Sequence, residues 1–128
     1  YRPPVGRKAI EFPAGLVNDR GLKRRESVLA AARRELLEET GYKAGKMVKL
    51  MNGPVSSGSS SDMVTIVHAR DLRKVAGGGG DDYESIIVHE VPLNETDKWL
   101  DKMRRKKYLV EPKIYAGLYF LKALHCNH

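Results

Sequence analysis

The most regular pattern of apolar and polar positions in the chain is a helical one, between residues 27 and 40. The stretch SVLAAARRELLEET contains strong helix formers throughout and has neither Gly nor Pro inside it. Gly41 follows at the position where a left-handed residue closes many helices. The sequence therefore predicts a helix over 27–40 that ends at Gly41.

Short β-branched runs indicate strands on either side of this helix. The four predicted strands cover residues 7–12, 46–51, 63–70 and 84–91. Ser- and Gly-rich connectors at 56–62 and 77–80 separate some of these runs and are too short to link domains. We therefore interpret the connectors as loops within one fold.

Two more helices are predicted in the last third of the chain. One follows Pro92 and covers about 94–107, and the other begins at Pro112, since Pro is favoured at the first helical position. One stripe of this last helix carries Ile114, Leu118, Leu121 and His125. Strands that alternate with helices in a small chain predict an α/β layered architecture with a mixed sheet.

The composition fits one globular domain. The 128 residues are 41% apolar and 30% charged, so we expect a single domain over 1–128. Cys126 is the only cysteine, which excludes an intrachain disulfide, and the sequence contains neither a run long enough to span a membrane nor a signal-peptide pattern. We expect an intracellular protein without a membrane partner, in the cytoplasm, with the nucleus or an organelle left open.

The charge balance favours anionic partners. The net charge is +7, from 23 Lys and Arg against 16 Asp and Glu. Basic runs occur at 20–25 and 102–107. The second is most simply a solvated helix end, and the first either attracts a polyanionic substrate or is a solvated loop. Because neither run has interleaved aromatic residues, we do not expect a nucleic-acid partner.

Three carboxylates share one face of the predicted helix. Glu35, Glu38 and Glu39 stand at i, i+3 and i+4, and like charges at these spacings cost about 0.2–0.5 kcal/mol per pair. Mg²⁺ and Mn²⁺ prefer carboxylate oxygens as ligands, so such a cluster can bind a divalent metal ion. Arg34 stands four residues before Glu38 and can orient its carboxylate. Taken alone, the three glutamates are more typical of a solvated surface helix than of a metal site.

The wider spacing resembles the Nudix box, G-x5-E-x7-R-E-U-x-E-E-x-G-U, where U is a bulky apolar residue. The match begins at Glu26 and continues through Arg34-Glu35-Leu36-Leu37-Glu38-Glu39-Thr40-Gly41-Tyr42 without a departure. The box Gly is Gly15, but ten residues separate it from Glu26 rather than five, which we interpret as a lengthened loop. The resemblance implies the Nudix fold, an α/β/α sandwich with a mixed β-sheet.

Further motifs are similar to the ADP-ribose pyrophosphatase (ADP-sugar diphosphatase) branch of this family. They are Tyr1-Arg2-Pro3-Pro4, the segment 10–16, the loop 56–62 and Ala116-Gly117-Leu118 in the last helix. The branch implies Mg²⁺-dependent hydrolysis, with Mn²⁺ as a second usable metal. The implied substrate is ADP-ribose or a related ADP-sugar, cleaved to AMP and a sugar phosphate.

The same resemblance implies roles for single residues. The implied metal ligands are Ala14, through its carbonyl, Glu35, Glu38 and Glu39, with Glu26 supporting them. The implied substrate contacts are Arg2, Leu16 and Gly58. The implied catalytic residues are Glu38, Arg34 and Glu84, the last of these acting on the attacking water, with Asp81 or Asp82 as alternatives to it.

Two departures from the branch leave the substrate and the assembly open. Ser57 stands where the branch often has Pro in the 56–62 loop, which weakens the case for ADP-ribose in particular. The chain begins at Tyr1, without the N-terminal segment that forms the dimer sheet in this branch, so we expect a homodimer for the full-length protein and leave the oligomeric state of this chain open. The alternative functions are hydrolysis of capped RNA or of a dinucleoside polyphosphate, and nucleotide or RNA binding without cleavage.

Overall fold

The computed structural model describes residues 1–15, 26–79 and 85–126. They form two compact units: the first combines Tyr1–Phe12 with Ile87–His128, and the second is Pro13–Ile86. Each unit has its own pair of strands and at least one helix. The single-domain organisation expected for the chain stays a prediction.

The second unit begins with helix α1, Val28–Thr40. The Ser27 hydroxyl accepts a hydrogen bond from the Ala30 N–H at 3.1 Å, which caps the first turn. At the other end Gly41 adopts φ +79° and donates its N–H to the Leu37 carbonyl at 2.8 Å. The predicted helix and its Gly terminator are confirmed to within one residue.

Strands β2, Tyr42–Pro54, and β3, Met63–Lys74, pair antiparallel into a hairpin that follows α1. A register shift lies between Lys49 and Met51. Both strands are longer than predicted, because backbone pairing carries them through Gly, Lys and Asn residues whose strand propensity is low. The Arg33 guanidinium donates to the Ala44 carbonyl and ties α1 to β2.

The first unit packs two helices on a short parallel strand pair. Strand β1, Ala9–Ile10, lies beside β4, Leu109–Val110, and the helices are α2, Thr96–Arg105, and α3, Pro112–Cys126. Short 3₁₀ turns occur at Pro3–Val5 and Leu93–Glu95. Its core consists of Ile10, Leu100, Met103, Ile114 and Leu118.

The structure differs from the sequence predictions at three places between residues 85 and 110. The strand prediction for 84–91 is wrong over its described part, 85–91, which has no ladder partner to turn its apolar residues into a strand. The helix predicted over 94–107 is divided into the 3₁₀ turn and α2, and ends at Arg105. The helix predicted from Pro112 is confirmed, whereas β4 was not predicted because only its pairing with β1 makes it a strand.

The α/β class is confirmed, with three α-helices among the described residues and both kinds of strand pairing. Over the part of the chain that the structure describes, the parallel and the antiparallel pair belong to separate two-stranded sheets. None of the described helices is long and apolar enough to cross a lipid bilayer.

Candidate functional site

Helix α1 presents the three predicted carboxylates on one face. Glu35 is the one buried charged residue in the described ranges, with 8% of its surface exposed. Glu38 and Glu39, one turn later, are half-buried. A buried carboxylate is costly unless charged or hydrogen-bonding groups surround it, so the partners of these side chains decide what the face can do.

Arg34 supplies the positive charge at the centre of this face. Its Nε and Nη2 atoms both donate to the Glu26 carboxylate at 2.9 Å, and its Nη1 donates to Glu35 at 2.6 Å. The same Nη1 lies 3.7 Å from a carboxylate oxygen of Glu38. One guanidinium therefore contacts three of the box glutamates, which offsets their mutual repulsion.

These contacts also keep Arg34 charged. Its hydrogen bond to Glu26 makes the largest contribution to raising the pKa of Arg34 above the ordinary value, partial burial opposes it, and Glu35 adds to it. Only 17% of the Arg34 side chain and 8% of the Glu26 side chain are exposed. The pair is therefore shielded from the solvent screening that weakens surface ion pairs.

The Ala14–Gly15 segment lies directly against the carboxylates. The Ala14 N–H donates to Oε2 of Glu39 at 2.9 Å. A Cβ atom placed on Gly15 would stand 2.1 Å from Cδ of Glu35, closer than any real contact. The predicted box glycine therefore lies beside the helix, at a position where an added side chain would displace the Glu35 carboxylate.

We expect Gly15→Ala to destabilise the protein by about 1–3 kcal/mol, because the new methyl group must displace the Glu35 carboxyl from its bond to Arg34. Urea denaturation measures the effect. Gly77→Ala is the matched control, since nothing lies within 4 Å of its Cβ position, and it should change stability by less than about 0.5 kcal/mol. Equal effects of the two variants would contradict the tight contact at Gly15.

The C-terminal end of α1 is held by the last residue of β3, Lys74, and by Gly79, which follows the strand. The Gly79 N–H donates to the Glu39 carbonyl at 2.8 Å, and the Lys74 ammonium donates to the Thr40 carbonyl at 2.7 Å while lying 4.9 Å from the centroid of the Tyr42 ring. These donors satisfy carbonyls that a helix end leaves unpaired. Sequence reasoning missed Lys74, because 34 residues separate it from the helix end that it caps.

The donor chemistry fits a hard divalent cation, since Glu35, Glu38 and Glu39 offer only oxygen ligands. Their side chains are instead engaged with Arg34 and the Ala14 N–H. Within 1–15, 26–79 and 85–126, no group of three or more His, Cys, Asp or Glu side chains is arranged to hold a metal ion. The metal-ligand roles of these residues, of Glu26 and of the Ala14 carbonyl stay predictions.

The remaining predicted residues lie elsewhere. Arg2 belongs to the first unit, where its guanidinium forms two hydrogen bonds to Glu11, at 2.6 and 2.8 Å, and 61% of its side chain is exposed. Gly58 lies in the exposed loop between β2 and β3, with open space around it. Leu16, the basic run at 20–25, Asp81, Asp82 and Glu84 lie outside the described residues.

The basic run at 102–107 occupies the last turn of α2 and the residues after it. Arg104 pairs with Asp101, and the other Lys and Arg residues of the run are exposed to solvent. Met103, which lies between them in the sequence, is buried in the core. Cations at a helix C-terminus interact favourably with the helix dipole. This placement agrees with the interpretation of the run as a solvated helix end.

Comparison with known families identifies one domain model. The model described as "NUDIX domain" matches residues 2–110, which include α1, the hairpin and the Ala14–Gly15 segment. This match covers most of the chain and contains every predicted site residue.

Several of the curated relatives that the chain resembles are named as pyrophosphatases of nucleotide sugars. The chain is 34% identical over 136 residues to the ADP-sugar pyrophosphatase of Mus musculus, covering 99% of this chain and 58% of the relative. It is 35% identical over 88 residues to a GDP-mannose pyrophosphatase of Klebsiella pneumoniae, covering 67% and 41%. It is 32% identical over 102 residues to the ADP-ribose pyrophosphatase of Bacillus subtilis, covering 79% and 52%. The chain thus spans about half the length of these relatives.

Proposed function

This chain belongs to the Nudix family, and on that premise we propose that it hydrolyses the diphosphate bond of a nucleoside diphosphate sugar with Mg²⁺ as its metal. The substrate that we infer is ADP-ribose or a related ADP-sugar, and the products are AMP and a sugar phosphate. Mn²⁺ is the alternative metal.

The observation that carries this proposal is the carboxylate face of α1 together with the segment that lies on it. Glu35, Glu38 and Glu39 project from consecutive turns, and Ala14 contacts Glu39 through its N–H. Glycine at position 15 leaves no side chain between the segment and Glu35. Such a face has the charge and the oxygen donors that a metal-dependent phosphoryl hydrolase needs.

A bound Mg²⁺ ion would neutralise the diphosphate and lower the pKa of a coordinated water. Glu35, Glu38 and Glu39 would hold it, with the Ala14 carbonyl as a further ligand. Members of the family generally use divalent metal ions, in agreement with this assignment.

The chain's own residues have separate tasks in this proposal. Arg34 holds the Glu26 and Glu35 carboxylates in fixed orientations and also lies near Glu38, so that the face is ordered before substrate arrives. Glu38, with 30% of its side chain exposed, is the carboxylate of the Arg34 network most open to a ligand. Glu84 would take the proton of the attacking water, Arg2 would bind a phosphate oxygen, and Leu16 and Gly58 would border the substrate.

The names of the relatives support a nucleotide-sugar substrate over a capped RNA. Two of the three carry ADP-sugar or ADP-ribose in their names and one carries GDP-mannose, so both adenine and guanine substrates belong in a test. A homodimer of the full-length protein and a cytoplasmic location stay predictions from the sequence.

A substrate panel tests the proposal. The purified protein, with Mg²⁺ and then with Mn²⁺, is incubated with ADP-ribose, ADP-glucose, GDP-mannose, a diadenosine polyphosphate and capped RNA, and nucleoside monophosphates are quantified. We expect release of AMP from the ADP-sugars at the highest kcat/KM, and no release when EDTA removes the metal. Cleavage of capped RNA alone would refute the substrate class, and no cleavage of any substrate alongside tight RNA binding would favour a non-catalytic module.

A further inference from the structure

The last turn of α1 has an unfavourable distribution of charge. It carries Glu38 and Glu39 and no basic residue, although the C-terminal end of a helix is the negative end of its dipole and favours cations. Glu35 stands three and four residues before them, and like charges at these spacings repel. The turn therefore gains stability from groups outside the helix that bring positive charge or hydrogen-bond donors to its end.

Residues 74–79, the helix-end clamp, bring such groups to this turn. The carbonyls of Glu39, Thr40 and Gly41 each accept at least one hydrogen bond from the clamp, at 2.7–3.2 Å. The donors are the ammonium of Lys74 and the N–H groups of Val75, Ala76 and Gly79. Because the last carbonyls of a helix have no partner within it, the clamp supplies hydrogen bonds that the helix itself cannot make.

A second contact holds the ammonium of Lys74 in place. Tyr42 and Lys74 are directly opposite each other in the β2–β3 ladder, and Nζ of Lys74 lies 4.9 Å from the centroid of the Tyr42 ring. A cation over the face of an aromatic ring is attracted by the quadrupole of the ring. Since β2 begins directly after Gly41, the first pair of the hairpin fixes the ammonium against the end of the helix that precedes it.

Backbone packing leaves the clamp little room to move relative to the helix. A Cβ atom on Gly78, where φ is +76°, would stand 2.5 Å from the carbonyl carbon of Thr40. One on Gly41 would stand 2.2 Å from the carbonyl oxygen of Ala76. Nothing lies within 4 Å of the Cβ position of Gly77, which precedes Gly78. The clamp and the last turn of α1 are therefore in direct backbone contact, and a shift of one displaces the other.

The clamp acts on the backbone of the turn that carries two of the three glutamates that would hold the metal. Metal ligands must be kept in a defined geometry, and groups that orient them change metal affinity without touching the metal. We propose that Lys74 and Gly78 are positioning residues that hold the last turn of α1 so that Glu38 and Glu39 bind Mg²⁺. The inference rests on the proposed function, because it needs the metal assignment of these carboxylates.

A role of Lys74 as a simple counter-charge predicts a change of the opposite sign. A cation that acted through its charge alone would repel Mg²⁺, so its removal would strengthen metal binding. Removal of a positioning residue lets the turn shift, so metal binding becomes weaker. The direction of the change in metal affinity therefore distinguishes positioning from charge.

Binding of Mn²⁺ to the metal-free whole chain, followed by electron paramagnetic resonance, tests the inference without any reaction. We expect the dissociation constant to rise about three-fold or more in Lys74→Met. It should stay within about two-fold of the parent in Lys74→Arg, since a guanidinium keeps the charge, the donors and the contact with an aromatic ring. Lys43→Met is the matched control, because Lys43 is exposed, adjoins Tyr42 and lies on the opposite face of β2. It should change the constant by less than about two-fold.

Two adjacent glycines provide a second matched pair. Gly78→Ala should weaken Mn²⁺ binding about three-fold or more, because its methyl group meets the backbone of Thr40 at a strained φ. Gly77→Ala should change the dissociation constant by less than about two-fold. Circular dichroism of each variant establishes that it is folded before it is compared.

Amide hydrogen exchange shows which part of the helix loosens. The N–H of Gly41 donates to the Leu37 carbonyl at the end of α1, and we expect its exchange to accelerate about three-fold or more in Lys74→Met. The N–H of Ala31, which donates to the Ser27 carbonyl in the first turn, should keep its parental rate. Equal acceleration at both ends would mean general destabilisation and would overturn the positioning role.

Hydrolysis of an ADP-sugar separates this inference from the proposed function. Lys74→Met should lower kcat about ten-fold and leave KM for the sugar within about two-fold, because misplaced metal ligands affect the reacting centre more than substrate binding. A parent that binds Mn²⁺ but hydrolyses no substrate would refute the proposed function alone, and the Mn²⁺ series would still decide the role of the clamp. Unchanged or tighter Mn²⁺ binding in Lys74→Met would refute the clamp alone, and no Mn²⁺ binding by the parent would refute both.

Discussion

Replacing Glu39 by Gln is expected to lower kcat on an ADP-sugar by about 10²–10³-fold, equivalent to roughly 3–4 kcal/mol of transition-state stabilisation. Gln keeps the side-chain oxygen that accepts from the Ala14 N–H, so the local fold is retained and only the negative charge is lost. Mg²⁺ retains its bound waters strongly, so a ligand on α1 must carry a negative charge to compete with them. Loss of the Glu39 charge should therefore weaken metal binding and lower the rate of hydrolysis. Steady-state kinetics across a Mg²⁺ titration measures the effect.

The control for Glu39→Gln is the same substitution at Glu95. Glu95 is exposed, lies at the start of α2 and makes no side-chain capping hydrogen bond. The kcat of Glu95→Gln should therefore stay within about two-fold of that of the parent protein. Near-parental turnover of Glu39→Gln at saturating Mg²⁺ would disprove the metal assignment of this carboxylate. A loss that excess Mg²⁺ fully restores would confine the role of Glu39 to metal affinity.

Replacing Arg34 by Met should destabilise the protein by about 2–4 kcal/mol, the largest stability effect that we expect from a single substitution in this chain. Met keeps the length of the apolar stem but leaves the carboxylates of Glu26 and Glu35 shielded from water without their guanidinium. The estimate lies toward the low end for a broken buried ion pair, because 17% of the Arg34 side chain reaches solvent. Urea denaturation at neutral pH gives the free energy of unfolding.

Arg2→Met is the matched control for Arg34→Met. Arg2 makes the same kind of two-bond pair, with Glu11, but 61% of its side chain is exposed, so we expect a loss of only about 0–1 kcal/mol. Arg34→Lys should fall between the two, since an ammonium keeps the charge but not the paired donors. Equal losses in Arg34→Met and Arg2→Met would show that burial does not strengthen the Arg34 pairs.

Local sequence signals were sufficient to predict the helices, whose hydrogen bonds join residues close together in the sequence. The helix formers between Ser27 and Gly41 predicted α1 to within one residue, and Pro112 marked the start of α3. The spacing of Glu35, Glu38 and Glu39 likewise predicted that these carboxylates share one face of the helix, because helical periodicity alone determines which side chains share a face.

Local sequence signals were insufficient to predict the strands, which form by pairing with distant parts of the chain. The apolar run at 84–91 has the composition of a strand, yet residues 85–91 lack one, whereas Leu109–Val110 becomes a strand through its pairing with β1. The hairpin extends through residues of low strand propensity for the same reason. Strand formation requires a partner, and composition does not identify that partner.

By itself, the sequence determined the carboxylate helix, its Arg34 partner and the family to which the chain belongs. Only the tertiary structure decided that Ala14 and Gly15 lie against Glu39 and Glu35, and that Lys74 caps the end of α1. Spacing along one helix is fixed by its periodicity, whereas contacts between segments depend on how the chain folds back, which no local pattern encodes.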